Sequence, residues 1–203
     1  MIIEQPAIYL RWLFPRALWR MDRHKKEIYL TFDDGPIPEA TPWILDVLDR
    51  YGIKATFFMV GENAYRYPHL LEEVRRRGHR IGNHTYNHLG AFKHHNHTYL
   101  ENVEKANRIL QTDLMRPPHG LMRWHNYHVL RRTYRIVMWD LVTRDYSHNL
   151  TAEEVFWNVR HYVRNGSIIT FHDSLKSIDK LMVMLPQALE WLLEQGYTFK
   201  VFD

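Results

Sequence analysis

In Tyr29-Leu30-Thr31-Phe32-Asp33-Asp34-Gly35-Pro36 an apolar strand runs straight into two adjacent carboxylates, and a glycine and a proline then stop it. Like charges a few ångströms apart disfavour full ionisation of both groups. A bound cation relieves that repulsion, so that one carboxylate can ligate while its neighbour works as a base. Downstream, His84-Thr85-Tyr86-Asn87-His88 supplies co-ligands. One aspartate with two histidines is an oxygen/nitrogen set suited to zinc or a similar divalent metal, with positions left open for water. The combination points to a hydrolase.

Outward from this strand the pattern alternates. Glu27 to Phe32 reads as a strand, and Pro42 to Tyr51 as a helix with Trp43, Ile44, Val47, Leu48 and Tyr51 on one face. Strands are predicted at 55–60, 80–83, 113–116, 134–140, 167–171 and 197–202. Helices are predicted at 65–77, 123–132 and 179–195. Two further helices are expected to open on capping boxes, Thr98 with Glu101 and Thr151 with Glu154. About seven strands alternating with helices argue for an α/β fold with a parallel sheet. The polar clusters fall at the C-terminal ends of strands, the face on which barrel enzymes place their chemistry. The pattern alone also allows an open doubly wound sheet. There is no internal repeat or linker, so one domain is expected.

At 203 residues the chain suits a single well-filled domain. Its 45% hydrophobic and 25% charged residues exclude disorder. A formal charge of +4, from 27 basic and 23 acidic side chains, is too small to call for a nucleic-acid partner. The absence of cysteine excludes disulfides and thiolate metal sites. Seven Trp, twelve Tyr and nine Phe suit both a packed core and stacking on sugar rings. No run approaches the ~20 apolar residues of a membrane span. The segment from Ile8 to Met21 is interrupted by Arg11, Pro15, Arg16 and Arg20, unlike a secretory signal. A cytoplasmic location is therefore the expectation.

Five stretches occur in the order and spacing of a known family: Thr31-Phe32-Asp33-Asp34-Gly35-Pro36, His84 to His88, Arg116-Pro117-Pro118-His119-Gly120, Trp139 to Tyr146, and Phe171-His172-Asp173. Over residues 27–202 the chain resembles the polysaccharide deacetylases, the NodB-homology group or carbohydrate esterase family 4. The resemblance implies a distorted (β/α) barrel and hydrolysis of an N-acetyl amide on a sugar. It implies that Asp34, His84 and His88 hold the metal, with zinc first and cobalt or nickel as alternatives, and that Asp33 is the general base. Arg116 then pairs with that base, His172 is the general acid, and Asp145 fixes the tautomer of His172. The chain departs from the family at four places. His119 stands where tyrosine is usual, at the position whose backbone N–H helps hold the oxyanion. Val142 and Tyr146 replace an aspartate and a tryptophan, and Thr170 replaces a leucine of the acetyl-methyl pocket.

The rival histidine cluster, Lys93-His94-His95-Asn96-His97, lacks a carboxylate in register and reads as a solvated loop. The expected function is thus a metal-dependent hydrolase removing N-acetyl groups from N-acetylglucosamine-type sugars in a poly- or oligosaccharide. The alternatives are a deacylase, such as a deformylase, of a lipid-linked sugar, and a catalytically silent carbohydrate-binding homologue. Residues 1–26 are expected to be an extension packing on the barrel, with 27–203 as the catalytic domain. Within that extension, Tyr9 to Met21 mixes Trp, Phe and Leu with arginines, and Arg23, Lys25 and Lys26 follow. It reads first as a cover for the barrel end, because Pro15 interrupts any long helix. The second reading is a peripheral membrane contact through residues 9–26. The partner expected is an N-acetylated saccharide.

Overall fold

Ile28, Leu30 and Phe32 alternate with Tyr29, Thr31 and Asp33 along the strand Glu27–Asp33. Because strand side chains alternate across the sheet, the first set faces one layer and the second set the other. The first set joins a large apolar cluster with Ile44, Leu48, Val155, Leu185 and Leu189 from the surrounding helices. Tyr29 packs on the other side with Phe58, Val137, Ile168 and Phe202, and there the sheet curls around its own interior. The computed structural model describes residues 4–203, so residues 1–3 of the predicted extension lie outside the described residues.

In chain order the elements are α1 (Ile8–Leu13), β1 (Glu27–Asp33), α2 (Thr41–Arg50), β2 (Thr56–Met59), α3 (Gly61–Arg66), α4 (Pro68–Arg76), β3 (Arg80–Asn83), α5 (Asn96–Leu110), β4 (Leu114–Met115), α6 (Trp124–Leu130), β5 (Arg135–Ile136), β6 (Leu141–Val142), α7 (Ala152–Tyr162), β7 (Ile168–His172), α8 (Ile178–Glu194) and β8 (Thr198–Lys200). The strands form one sheet in the order β5-β4-β3-β2-β1-β7-β6, with β8 paired to the start of β1. Every strand pair is parallel. This is the distorted (β/α) barrel that the family resemblance implies, built on the parallel sheet that the alternating pattern predicts.

Three expectations need correction. The strand predicted at 134–140 is only β5, and a further short strand, β6, follows just beyond the predicted range. Between them the carbonyls of Val137 and Met138 bond the Arg116 guanidinium instead of extending a ladder. The helix predicted at 65–77 is split into α3 and α4 at Tyr67, because the residue before a proline avoids helical geometry. The Thr98–Glu101 capping box does not form: α5 starts two residues earlier, at Asn96. The Thr151–Glu154 box does form, with both reciprocal bonds.

The sheet leaves a seam between its edge strands β5 and β6, and the N-terminal segment crosses it. Leu18 N–H donates to Ile136 O and Met138 N–H to Leu18 O, both at 2.8 Å. Val142 N–H on the β6 edge donates to Glu4 O at 2.8 Å, and Met21 N–H donates to Gly166 O at 2.8 Å. Phe14, Ala17 and Trp19 are buried with Tyr127, Tyr134 and Ile136. No helix among the described residues is long and apolar enough to cross a membrane.

Candidate active site

The C-terminal end of β1 delivers the two carboxylates and separates them. Asp33 faces into the barrel and accepts a 2.6 Å bond from Arg116 Nη1. Arg116 is 1% exposed. Its remaining donors go to Thr31 Oγ1 (2.8 Å), Met138 O (2.8 Å) and Val137 O (3.3 Å). Its guanidinium lies 4.2 Å from the centre of the Phe58 ring, a cation–π contact that fixes its plane. Gly82 on β3 makes room for that ring, because a Cβ there would overlap Phe58. Asp33 is thus held rigidly by a buried charge-assisted hydrogen bond, the strong kind.

Asp34 has φ +81°, a left-handed backbone that aspartate adopts more readily than most residues. Asn63 Nδ2 donates to its carbonyl at 2.9 Å and holds the turn. This conformation takes the Asp34 side chain away from Arg116 and towards two imidazoles. His84 Nε2 lies 3.6 Å and His88 Nε2 3.4 Å from Asp34 Oδ1. His84 follows β3, and its Nδ1–H donates to Arg116 O at 2.8 Å, which leaves Nε2 facing the carboxylate. Burial pushes the His84 imidazole down to about 4, against the opposing pull of Asp33, so it is neutral at physiological pH. Asp34 Oδ1 is shielded from solvent and has no hydrogen-bond partner. A neutral imidazole lone pair facing a carboxylate lone pair, with no proton between them, is a donor set for a cation. Asp34, His84 and His88 are the one such group among the described residues, with ligand atoms within 4.8 Å of one another. In the rival cluster the loop reading holds only as far as His95: His97 lies in the first turn of α5, where it does have a carboxylate in register, pairing with exposed Glu101 at 3.1 Å.

Across the cleft, His172 ends β7 beside Asp33, its register partner. Its Nδ1–H donates to Asp145 Oδ1 at 2.7 Å, and its backbone N–H donates to Asp145 Oδ2 at 2.7 Å. Burial disfavours the imidazolium, but the Asp145 charge and hydrogen bond outweigh it, and Asp34 and Asp33 add to them. His172 is raised to about 9. It therefore carries protons on both nitrogens at neutral pH. Tyr146 packs edge-on against the His172 ring at 4.7 Å.

The cleft has a volume of about 480 Å³, and Asp33, Asp34, His84, His88, Arg116, His119, Tyr146, Thr170 and His172 all line it. Of the site residues expected from sequence, only Asp145 stands behind this wall, fully buried. His119 has φ +60° and lies 4.8 Å from the His88 ring. Thr170 is 3% exposed, with its hydroxyl 3.3 Å from that of Thr31. Four contributors escape the sequence reading. Thr31 could have been found, since it lies two residues before Asp33 and so on the same face. Lys180 Nζ holds the loop by donating to Asp145 O (2.9 Å) and Ser147 O (2.8 Å). Trp139 and Lys176 line the cleft. Trp139 opens the fourth of the five stretches quoted above, whereas nothing local marks Lys180 or Lys176.

A family profile described as polysaccharide deacetylase matches residues 20–133. A peptidoglycan-N-acetylglucosamine deacetylase of Bacillus cereus is 32% identical over 189 residues, covering 89% of this chain and 88% of that protein. A chitooligosaccharide deacetylase of Azorhizobium caulinodans is 30% identical over 162 residues, 76% of this chain and 77% of its own. The crystal structure of the Bc1960 peptidoglycan N-acetylglucosamine deacetylase superposes with a TM-score of 0.84 at 31% identity, covering 95% of this chain and 94% of that one. The chain belongs to the polysaccharide deacetylase family.

Proposed function

We propose that this chain is a metal-dependent hydrolase that removes the N-acetyl group from N-acetylglucosamine-type sugars of a glycan chain. One observation carries the reading: two adjacent carboxylates have been given different partners, Asp33 a buried arginine and Asp34 two imidazoles. Base and ligand are separate tasks, and a silent binding protein needs only one of them. Asp34, His84 and His88 would hold a divalent cation, with zinc the best match to an Asp-His-His set. Such a cation lowers the pKa of water and polarises an amide carbonyl.

The chain's own groups do the rest. Asp33 accepts the proton of the attacking water, and Arg116 holds its carboxylate in place. His172 donates a proton from Nε2 to the leaving amine, while Asp145 fixes the ring through Nδ1. His119 and Tyr146 form the sugar-facing walls, and Thr170 lines the floor. The glycans named for the relatives, peptidoglycan and chitooligosaccharide, define the substrates to try first.

Purified protein, stripped with a chelator and reloaded with zinc or cobalt, should release acetate from N-acetylated oligosaccharides or peptidoglycan strands. An assay that also reads formate separates the deformylase alternative. Asp33→Asn should lower turnover by about 10²–10⁴-fold while retaining zinc. His84→Ala should lose both zinc and turnover. Near wild-type turnover in Asp33→Asn would overturn the mechanism. Saccharide binding with no acyl release from any substrate would establish the silent homologue.

A further inference from the structure

At the end of the barrel opposite the active cleft lies a second cavity, of about 510 Å³, lined by Arg11, Arg20, Arg23, Arg164 and Trp12. Its position follows from its anchors. Arg20 bridges to Ser167 just before β7, and Asp140, to which Arg11 and Arg164 bond, precedes β6. Among the described residues Asp140 is the carboxylate that bonds this group, at 2.8 Å to Arg11 and 2.6 Å to Arg164, with Arg20 at 4.0 Å. Three guanidiniums therefore share one buried carboxylate, and Arg23 adds a fourth positive charge to the cavity wall. The excess is felt by Arg20, whose pKa is lowered first by burial and then by Arg164, Arg23 and Arg11, against the pull of Asp140.

Beside this cavity, α1 is turned inside out. Leu10 packs on the core and Arg11 reaches Asp140, whereas Ile8, Tyr9, Trp12 and Leu13 are 66%, 56%, 72% and 49% exposed. Residues 8, 9, 12 and 13 share one helical face, so these apolar groups form a single patch. Apolar and aromatic side chains next to an uncompensated cationic pocket match a layer with phosphate outside and hydrocarbon beneath.

We propose that this end of the barrel docks on an anionic phospholipid surface, with a headgroup phosphate in the arginine cavity and α1 in the interface. No membrane crossing is involved. Docked this way, the cleft opens away from the bilayer, towards glycan beyond the surface. The proposal is independent of the reaction assigned to the cleft.

Co-sedimentation of the full-length protein with phosphatidylcholine vesicles, with and without phosphatidylglycerol, tests it. The expected result is pelleting only with phosphatidylglycerol, weakened as salt shortens the Debye length. Arg23→Glu, at an exposed position, should weaken binding roughly fivefold for each charge changed. Trp12→Ser should weaken it separately through the apolar arm. Circular dichroism and deacetylation of a soluble substrate should not change in either variant. If one variant fails to fold, the other still decides. Equal pelleting of both variants and wild type, or no pelleting at all, overturns the proposal. A melting-temperature rise with inorganic phosphate but no vesicle binding would also overturn it, by identifying a soluble-anion pocket.

Discussion

The two ends of this barrel each hold a carboxylate with an oxygen shielded from solvent, and they treat it in opposite ways. Asp140, at the N-terminal end of the strands, is fully enclosed and saturated: Arg164 grips both oxygens, Arg11 takes one and Ser167 Oγ donates to the other at 2.8 Å. Burial opposes its charge, yet those hydrogen bonds hold its pKa below the ordinary carboxylate value. Asp34, at the C-terminal end, also has its pKa lowered despite burial, through the charges of His172, His84, His88 and His119. However, its Oδ1 has no donor at all. A buried polar group left unsatisfied destabilises the fold by about 1–3 kcal/mol. Asp140 is complete within the protein, whereas the open Asp34 oxygen is the one proposed to take a cation.

Removing each carboxylate in turn should break this comparison open. Asp140→Ala leaves the partly exposed guanidiniums of Arg11 and Arg164 and the buried Ser167 hydroxyl without their acceptor, which destabilises by about 1.5–3 kcal/mol. At roughly 2–4 °C per kcal/mol for a domain of this size, its melting temperature should fall by roughly 5–10 °C. In the metal-free state, Asp34→Ala should melt within about 4 °C of wild type, because it deletes an unpaired group and adds only the cost of alanine at a left-handed φ. It should also lack the melting-temperature rise expected of the wild type with zinc. Scanning calorimetry of both variants with and without zinc decides. A large loss in Asp34→Ala without metal would erase the distinction.

A buried carboxylate in the cleft wall, Asp145, sharpens the comparison, since it accepts from the backbone N–H of Tyr146 and His172 and also from the imidazole proposed as the acid. Asp145→Asn removes the principal upward push on His172, so the protonated imidazole should persist to a lower pH than the wild-type value of about 9. The alkaline limb of turnover should then move down in pH. The rate at neutral pH should fall by about 10²–10³-fold, within the range for loss of a general acid. Lys180 lies close enough to Asp145 O to keep the loop in place in the variant. A pH–rate profile whose alkaline limb does not move would show that His172 is not the acid.

The contrast between the ends also explains what could be read from sequence. The five polar stretches sit at strand ends and are contiguous, so Asp33, Asp34, His84, His88, Arg116 and His172 could all be picked out before any coordinate. The parallel sheet was legible because strand and helix periods alternate from Glu27 onward, and its closure into a barrel came from the family resemblance. The break between β5 and β6 was not legible. It depends on Arg116, more than twenty residues away, capturing two carbonyls that sequence alone assigns to a ladder. The arginine cavity was half legible: Arg11, Arg20 and Arg23 lie in the basic, aromatic segment singled out at 9–26, whereas nothing marks Arg164, from the turn before β7, as their neighbour. Local patterns report local geometry, and long-range charge pairing leaves no period to find.

The smallest effect concerns Asp173, which lies between the two extremes. Thr41 Oγ1 donates to its Oδ2 at 2.6 Å, while its Oδ1 is buried without a partner. Burial raises its pKa, and the charge of Asp34 adds to this against the Thr41 hydrogen bond, to about 7. The folded state therefore binds this proton more tightly than the unfolded chain, whose carboxyl titrates near the ordinary value of 3.8. The destabilisation from its ionised form is absent below the unfolded value, grows as pH rises, and is complete above about 7. Asp173→Asn cannot ionise. In metal-free protein it should stabilise the fold at pH 8 by on the order of 1 kcal/mol, after its unpaired amide N–H offsets part of the gain. At pH 5 the gain should shrink or reverse, because wild-type Asp173 is then already protonated in the fold. Urea denaturation of the two proteins at both pH values measures the difference. A gap that does not change with pH would mean that the ionised carboxylate has a partner in solution, and would place Asp173 with Asp140 rather than with Asp34.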